Sequence, residues 1–261
     1  MEIEKFPIVR ISEQGRSESD GMVATEFSLT ITLNNQELVT LLCSPTKLDC
    51  LAVGFLSSEG LIKSKDEIRE ITVDEESGVV QVTTKQAREF AQGISSRRFI
   101  GSSGARGTNF SAISSTSWAK VKSHLQVSPP EVFALMQEFV QHSKVFRSTS
   151  GVHSAGLCDT KNILLFSDDI GRHNAIDKIF GECILNDIPI SDRIITTTGR
   201  VSSEILLKVA RRSIPILISK AVPTNLGVKL AADLGITLIG FARGKTMNVY
   251  TCGWRVVTDG E

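Results

Sequence analysis

Three things are scarce in this sequence of 261 residues, and each scarcity narrows what it can do. The first is charge of one sign. Lys and Arg total 29 and so do Asp and Glu, so the formal net charge is zero. A generally basic nucleic-acid coat is therefore excluded, although a local basic pocket is not. The second is paired cysteine. Cysteines stand at 43, 50, 158, 183 and 252, an odd number with no C-x-x-C spacing. That pattern fits a reduced intracellular protein rather than a disulfide scaffold or a zinc ribbon. The third is the long apolar run: none approaches the roughly 18 residues that cross a bilayer. The opening MEIEKFPIVRISEQGRSESDG also lacks the apolar stretch of a secretory signal. A cytosolic protein that binds neither membrane nor nucleic acid is the expectation.

Several catalytic signatures are missing as well. The sequence has no G-x-x-x-x-G-K-[ST] phosphate loop, and no G-x-G-x-x-G follows an expected strand. The H-x-E with P-C-x-x-C of zinc deaminases is absent, and so is the G-x-S-x-G of simple esterases.

What is present is ordinary globular material: 41% hydrophobic and 22% charged residues, enough to build a core. The length suits one large domain or two modest ones at roughly 100–200 residues each. Phe27, Leu29, Ile31 and Leu33 alternate with polar residues, as in a half-buried strand, and Leu38 to Leu42 returns after the turn at Asn34-Asn35. Ser44-Pro45 reads as a helix start, Leu48, Leu51, Ala52 and Phe55 as its apolar stripe, and Gly60 as its stop. Strands are expected at 70–73 and 79–83. Residues 93–117 hold eight serines and four glycines and read as loop. Ser128-Pro129 opens another helix, with the stripe Val132, Leu135, Met136, Phe139 and Val140.

From residue 146 strands and helices alternate. Strands are expected at 152–158, 163–167, 194–197, 214–219, 236–240 and 247–251, and helices at 174–186, 202–211 and 225–234. The spacing predicts an α/β sandwich with helices on both faces of a sheet. An N-terminal α+β domain would span 1–125, ending in the Ser/Gly-rich loop, and a C-terminal α/β domain 126–261.

In open α/β sheets ligands bind beyond the carboxyl ends of the strands. Four segments after strands carry cations: Asp168-Asp169-Ile170-Gly171-Arg172-His173-Asn174, then Thr198-Gly199-Arg200-Val201-Ser202, then Lys220-Ala221-Val222-Pro223-Thr224, then Phe241-Ala242-Arg243-Gly244-Lys245-Thr246. Three hold a glycine that lets backbone N–H groups approach a ligand. Arg suits bidentate contact with phosphate, and helix N-termini favour anions. Arg172, His173, Arg200, Lys220 and Arg243 are thus expected to line one pocket for a phosphorylated ligand. Asp168 or Asp169 also has a structural reading, as a first-turn charge or cap. No metal site is expected.

At these residues the chain resembles the FdhD family, accessory sulfurtransferases of formate dehydrogenase. The resemblance runs from about residue 25 to 252. It is carried by LDCLAVGFLSSEGLI (48–62), SGVHSAGL (150–157), DDIGRHNAIDK (168–178), TGRVSSE (198–204), KAVPTNLGVKLAADLGITLIGFARG (220–244) and NVYT (248–251). It implies a cytidine-deaminase-like three-layer α/β/α sandwich in the C-terminal half and a homodimer. It also implies binding of the molybdenum bis(molybdopterin guanine dinucleotide) cofactor, with Phe241, Ala242, Arg243, Gly244, Lys245 and Thr246 as the matching segment and GDP as a partial mimic. Family members pass sulfur from a cysteine desulfurase to that cofactor. Their loop reads S-C-G-x-C-G, with the first cysteine carrying the persulfide, whereas here Ser103 and Arg106 stand where the cysteines are expected. Two functions follow from the resemblance: sulfur transfer to the cofactor of formate dehydrogenase, or a carrier that keeps the guanine-nucleotide pocket and moves no sulfur.

Overall fold

The computed structural model describes residues 1–85, 99–100, 106–107 and 120–258, with 99–100 and 106–107 described by backbone alone. The chain opens with a hairpin of β1 (Ile3–Ser12) and β2 (Gly15–Ala24) that the sequence pattern does not announce. Both faces of this hairpin are largely exposed, so no alternation of apolar and polar residues was required of it.

A second sheet follows, in the order β4-β3-β6-β5, built from β3 (Phe27–Leu33), β4 (Gln36–Cys43), β5 (Ile68–Asp74) and β6 (Val79–Thr84). Asn34 and Asn35 turn β3 into β4 with φ of 50° and 65°, a left-handed geometry that asparagine tolerates. Helix α1 (Leu48–Ser58) covers one face. Leu29, Ile31, Leu33, Val80 and Val82 of the sheet pack with Leu48, Leu51, Ala52 and Leu56 of the helix. Ser44 does not start that helix, contrary to the sequence reading. Its start is held by Lys47 at φ 50°, without a side-chain cap. Ser44 is drawn away to Asp169: its N–H donates to Asp169 Oδ2 at 3.1 Å, and its hydroxyl accepts from the Ile170 N–H at 3.2 Å. A buried carboxylate left without donors is costly, and Ser44 supplies one to Asp169. Gly60, at φ 78°, does mark the end of the helix.

Two short strands, β7 (Phe99–Ile100) and β8 (Arg106–Gly107), pair antiparallel. The larger sheet has the order β10-β9-β11-β12-β13-β14. Its strands are β9 (His153–Cys158), β10 (Ile163–Asp169), β11 (Ile194–Thr197), β12 (Ile216–Ser219), β13 (Thr237–Arg243) and β14 (Thr246–Val249). β11, β12 and β13 are mutually parallel, and every other neighbour pair is antiparallel.

Helices lie on both faces of this sheet. On one face α4 (Arg172–Leu185), α5 (Ser203–Arg211) and α6 (Asn225–Leu234) bring Ile176, Phe180, Leu206, Val209 and Leu234 onto Leu157, Ile195, Leu217 and Leu238. On the other, α2 (Pro129–His142) brings Val132, Leu135, Met136 and Phe139 onto Ile194, Ile216, Ile218 and Ile239. A one-turn helix, α3 (Lys144–Thr149), follows α2. Adjacent residues of one strand, such as Ile194 and Ile195, thus enter different cores, which is why these strands read as unbroken apolar runs. Glu131 accepts from the Ser128 N–H at 2.7 Å and closes the start of α2, and Gly235 ends α6 at φ 69°.

The two sheets are joined through α1 and α4, which cross at glycines. A Cβ on Gly54 would lie 1.8 Å from the Asp177 carbonyl, and one on Gly181 would lie 1.8 Å from the Cys50 carbonyl. The two backbones are in direct contact at both points.

Candidate functional site

Strand direction collects the chemistry at one edge of the larger sheet. The carboxyl ends of the parallel strands β11, β12 and β13 lie together. β9 runs antiparallel to β11, so its first residue, His153, sits at the same edge, opposite Asp169 at the end of β10. Short-range hydrogen bonds then stitch the following segments to one another. Ser219 Oγ donates to the Gly199 carbonyl at 2.8 Å and accepts from the Ala221 N–H at 2.9 Å. The Ala221 carbonyl in turn accepts from the Phe241 N–H at 2.9 Å.

Four of the expected cations come together on this scaffold in two pairs. Arg172 opens α4 and lies against Gly199, where an added Cβ would come within 2.8 Å of the Arg172 Cβ. Arg200 is the next residue and is exposed. Burial, and then the Arg200 charge, push the Arg172 guanidinium below its usual pKa, while Glu204 opposes them. In the second pair, Arg243 Nε donates to the Lys220 carbonyl at 2.9 Å, and the guanidinium lies 4.6 Å from the centre of the Phe241 ring. The Lys220 ammonium stands 5.6 Å from the centre of the Phe146 ring. The charges of Arg172 and Arg200 repel, so that pair stores an attraction for an anion.

The segment Phe241–Thr246 is a bulged hairpin rather than a loop between strand and helix. The register shifts between Gly240 and Arg243, and Gly244, at φ 58°, carries the turn into β14. Phe241 holds a left-handed φ of 55° and leaves 40% of its surface exposed, an uncommon conformation for a bulky residue. Bulges re-aim side chains, and this one turns Phe241 and Arg243 outward while Ala242 enters the core. Lys245 and Thr246 are exposed, and the Thr246 hydroxyl donates to the Arg243 carbonyl at 3.2 Å.

His173 differs from the cations. Only 6% exposed, it turns toward α5, where its Nε2 lies 3.5 Å from Glu204 Oε2. Burial, reinforced by the charges of Lys208 and Arg172, drives its pKa down to about 2, so the ring is neutral at ordinary pH. His153 was not singled out from the sequence. Its Nδ1 lies 3.5 Å from the Thr198 hydroxyl, and burial followed by Arg172 lowers its pKa. A lone histidine in SGVHSAGL carries no spacing signal; only the antiparallel course of β9 reveals it.

Asp168 and Asp169 are structural. Asp168 accepts from the hydroxyls of Ser143 and Ser154, both at 2.6 Å. Asp169 pairs with Lys178 at 2.7 Å. Neither carboxylate caps α4 by its side chain; Gly171 holds the cap position.

The thiols are elsewhere. Cys43, Cys50, Cys158 and Cys183 are buried, and desolvation pushes each of them up to about 12. Cys252 is partly exposed, but its carbonyl accepts from the Thr237 hydroxyl at the start of β13, at the sheet edge opposite the cations. Ser103 lies outside the described residues, and of Arg106 only the backbone in β8 is described. Among the described residues no group of three or more His, Cys, Asp or Glu could hold a metal ion, and no helix is long and apolar enough to cross a membrane.

Comparison with known proteins gives a consistent result. A model of the FdhD/NarQ family matches residues 24–257. The sulfur carrier protein FdhD of Bacillus subtilis is 44% identical over 241 residues, 92% of this chain and 92% of its own length. The protein of that name in Listeria innocua is 40% identical over 255 residues, 96% of this chain and 98% of its own. A crystal structure of a putative formate dehydrogenase accessory protein from Desulfotalea psychrophila superposes with a TM-score of 0.80 at 28% identity, covering 98% of this chain and 99% of that one.

Proposed function

The chain belongs to the FdhD/NarQ family, and from that premise we propose that it serves formate dehydrogenase by holding the enzyme's molybdenum bis(molybdopterin guanine dinucleotide) cofactor at the cationic sheet edge. One observation supports this reading: the charges of Arg172 and Arg200 act on one another, and Arg243 donates to the Lys220 carbonyl, in segments of which those around Gly199, Ala221 and Phe241 are joined by hydrogen bonds. The donor set fits a ligand with several phosphates, because guanidinium groups meet phosphate oxygens in pairs. Phe241 and Arg243 offer a flat face for a nucleobase. Bound there, the cofactor supplies the molybdenum centre, and this chain's residues bind and orient its nucleotide arms. His173, being buried and neutral, adds no charge of its own.

The relatives are named sulfur carriers. In this chain the loop position that the family gives to the sulfur-bearing cysteine is Ser103, and four of the five thiols are buried and protonated. We therefore read it as a cofactor carrier, with sulfur delivery from a cysteine desulfurase lying outside its own side chains. A homodimer, a deaminase-like C-terminal sandwich and a boundary near residues 125–126 belong to the same reading.

Titration calorimetry with GDP and ADP tests it. Binding of GDP, and weaker binding of ADP, is expected. No heat with GDP, or equal affinity for both, ends the reading.

A further inference from the structure

Glu204 stands in the first turn of α5, within the TGRVSSE motif, and nothing above gives it a task. An acid in a first turn is ordinarily a partner for the helix dipole. Its surroundings here argue for more. Its carboxylate lies 3.5 Å from Nε2 of the buried His173, and its side chain is 19% exposed. It is the carboxylate that supports the charge on Arg172, against both burial and the neighbouring charge of Arg200. An anion has thus been placed beside the cations Arg172 and Arg200. If that edge is to attract phosphate, simple electrostatics makes Glu204 a handicap.

We propose that Glu204 is a positioning residue of the anion site, acting through His173 and Arg172. It fixes the His173 ring by accepting from Nε2 and steadies the guanidinium of Arg172, whose aliphatic stem packs on Gly199. Two like charges, Arg172 and Arg200, can then remain side by side in the absence of ligand. The physical point is pre-organisation: a cation held in place before binding loses less freedom on binding. His173 and Arg172 are consecutive residues at the start of α4, so one carboxylate on α5 fixes the entry of the helix that lines the site. The inference rests on reading the edge as a phosphate site.

The two explanations differ in sign. If Glu204 acts only as a nearby negative charge, Glu204→Gln tightens an anionic ligand. If it positions the cations, the same change weakens the ligand although it removes repulsion. Calorimetry with GDP is to be run on the native chain, on Glu204→Gln and on Glu204→Ala. Asp233→Asn, which removes an exposed acid on α6, serves as the charge control. At least about fivefold weaker binding is expected for both Glu204 variants, with the control unchanged within about twofold. The second readout is nitrogen-15 NMR of the His173 ring. It should be a single Nε2–H tautomer in the native chain and lose that preference in Glu204→Ala, a change that an ordinary helix-dipole role does not produce. Equal or tighter GDP binding by Glu204→Gln, or an unaltered His173 tautomer in Glu204→Ala, overturns the inference. Absence of GDP binding by the native chain sinks the proposed function, and this inference with it. Native binding with unaffected Glu204 variants sinks this inference alone.

Discussion

Asp169 and Lys178 form an ion pair of 2.7 Å in which neither side chain reaches solvent. Both partners are saturated. Asp169 Oδ1 accepts from the Gly171 N–H at 2.8 Å and from Asn174 Nδ2 at 2.9 Å, while Oδ2 accepts from the Ser44 N–H. Lys178 donates in addition to the carbonyls of Ser44 at 3.1 Å and Asp168 at 3.3 Å. The pair therefore ties the end of β4, the end of β10 and the first turns of α4 into one knot, and Arg172 and His173 leave from that knot.

Breaking it should be costly. Lys178→Met leaves a buried carboxylate without its cation, and the loss expected is about 3–5 kcal/mol. Asp169→Asn combined with Lys178→Met removes the stranded charge and should recover part of it. Urea denaturation of the three chains is the check, and a loss under about 1 kcal/mol for Lys178→Met contradicts this account.

The crossing of α1 and α4 makes a second demand. Gly54→Ala or Gly181→Ala would drive a methyl group into the facing carbonyl, so the helices must separate. A destabilisation of about 1–3 kcal/mol or more follows, and with it a fall in Tm of roughly 2–4 °C per kcal/mol. Gly244→Ala, in open space at the β13–β14 turn, meets only the strain of its positive φ and should cost less. Thermal melts that rank Gly244→Ala as the worst of the three would refute the close-crossing explanation.

The larger sheet and its helices were legible because burial dictated them. Strand 194–197 and helix 225–234 fall where the apolar pattern puts them. The β1–β2 hairpin was not legible, since strands exposed on both faces write no alternation. Ser44 misled for a related reason: a capping residue looks the same in sequence whether its hydroxyl accepts from the next turn or from a backbone N–H 126 residues away. At the site, the cations were readable as residues following strands, and the fold puts them at one edge. His153 and Glu204 were not, because each is defined by a partner on another element. The bulge that turns Phe241 outward is a matter of strand register, which composition does not encode.

Burial of His173 gives a prediction for acid. Its folded pKa of about 2 lies below the ordinary 6.5, so the unfolded chain binds a proton that the folded one refuses. The contribution is fully present above pH 6.5 and is lost as the pH falls toward 2, by up to about 1.4 kcal/mol per unit. His173→Gln should therefore flatten the fall of the urea midpoint between pH 6.5 and 4. An equally steep fall in the variant would mean that other groups carry the acid response. On the alkaline side the sign reverses. Thiols raised from 9.0 to about 12 favour the folded state below pH 9 and lose that effect as the pH climbs toward 12.

Arg243 should matter to the ligand more than Lys245. Arg243 stands on Phe241 and is held by the Lys220 carbonyl, whereas Lys245 is exposed beyond the turn. Losing one charge-assisted phosphate contact costs roughly 1.5–3 kcal/mol, so Arg243→Ala should weaken GDP at least about tenfold. Lys245→Ala should change it by less than about threefold. Calorimetry in which the order is reversed contradicts the orientation assigned to the bulge.

The last prediction concerns sulfur. Transfer of a sulfane sulfur needs a thiolate, and a serine hydroxyl does not lose its proton at neutral pH. Ser103 therefore should carry no label when the native chain is incubated with a cysteine desulfurase and sulfur-35 cysteine. Nor should Cys43, Cys50, Cys158 or Cys183, whose burial holds them protonated and out of reach. Cys252 is the partly exposed one, and a thiol-specific reagent should find it first in the folded protein. Its position at the sheet edge opposite the cations separates it from the place assigned to the cofactor. Supplying the thiols, Ser103→Cys with Arg106→Cys should create a chain that takes up label. Each single substitution distinguishes a first acceptor from a resolving partner. Label on the native chain that disappears with Cys252→Ser would reverse the conclusion: the sulfur site would have moved across the sheet, and the carrier would be a sulfurtransferase after all.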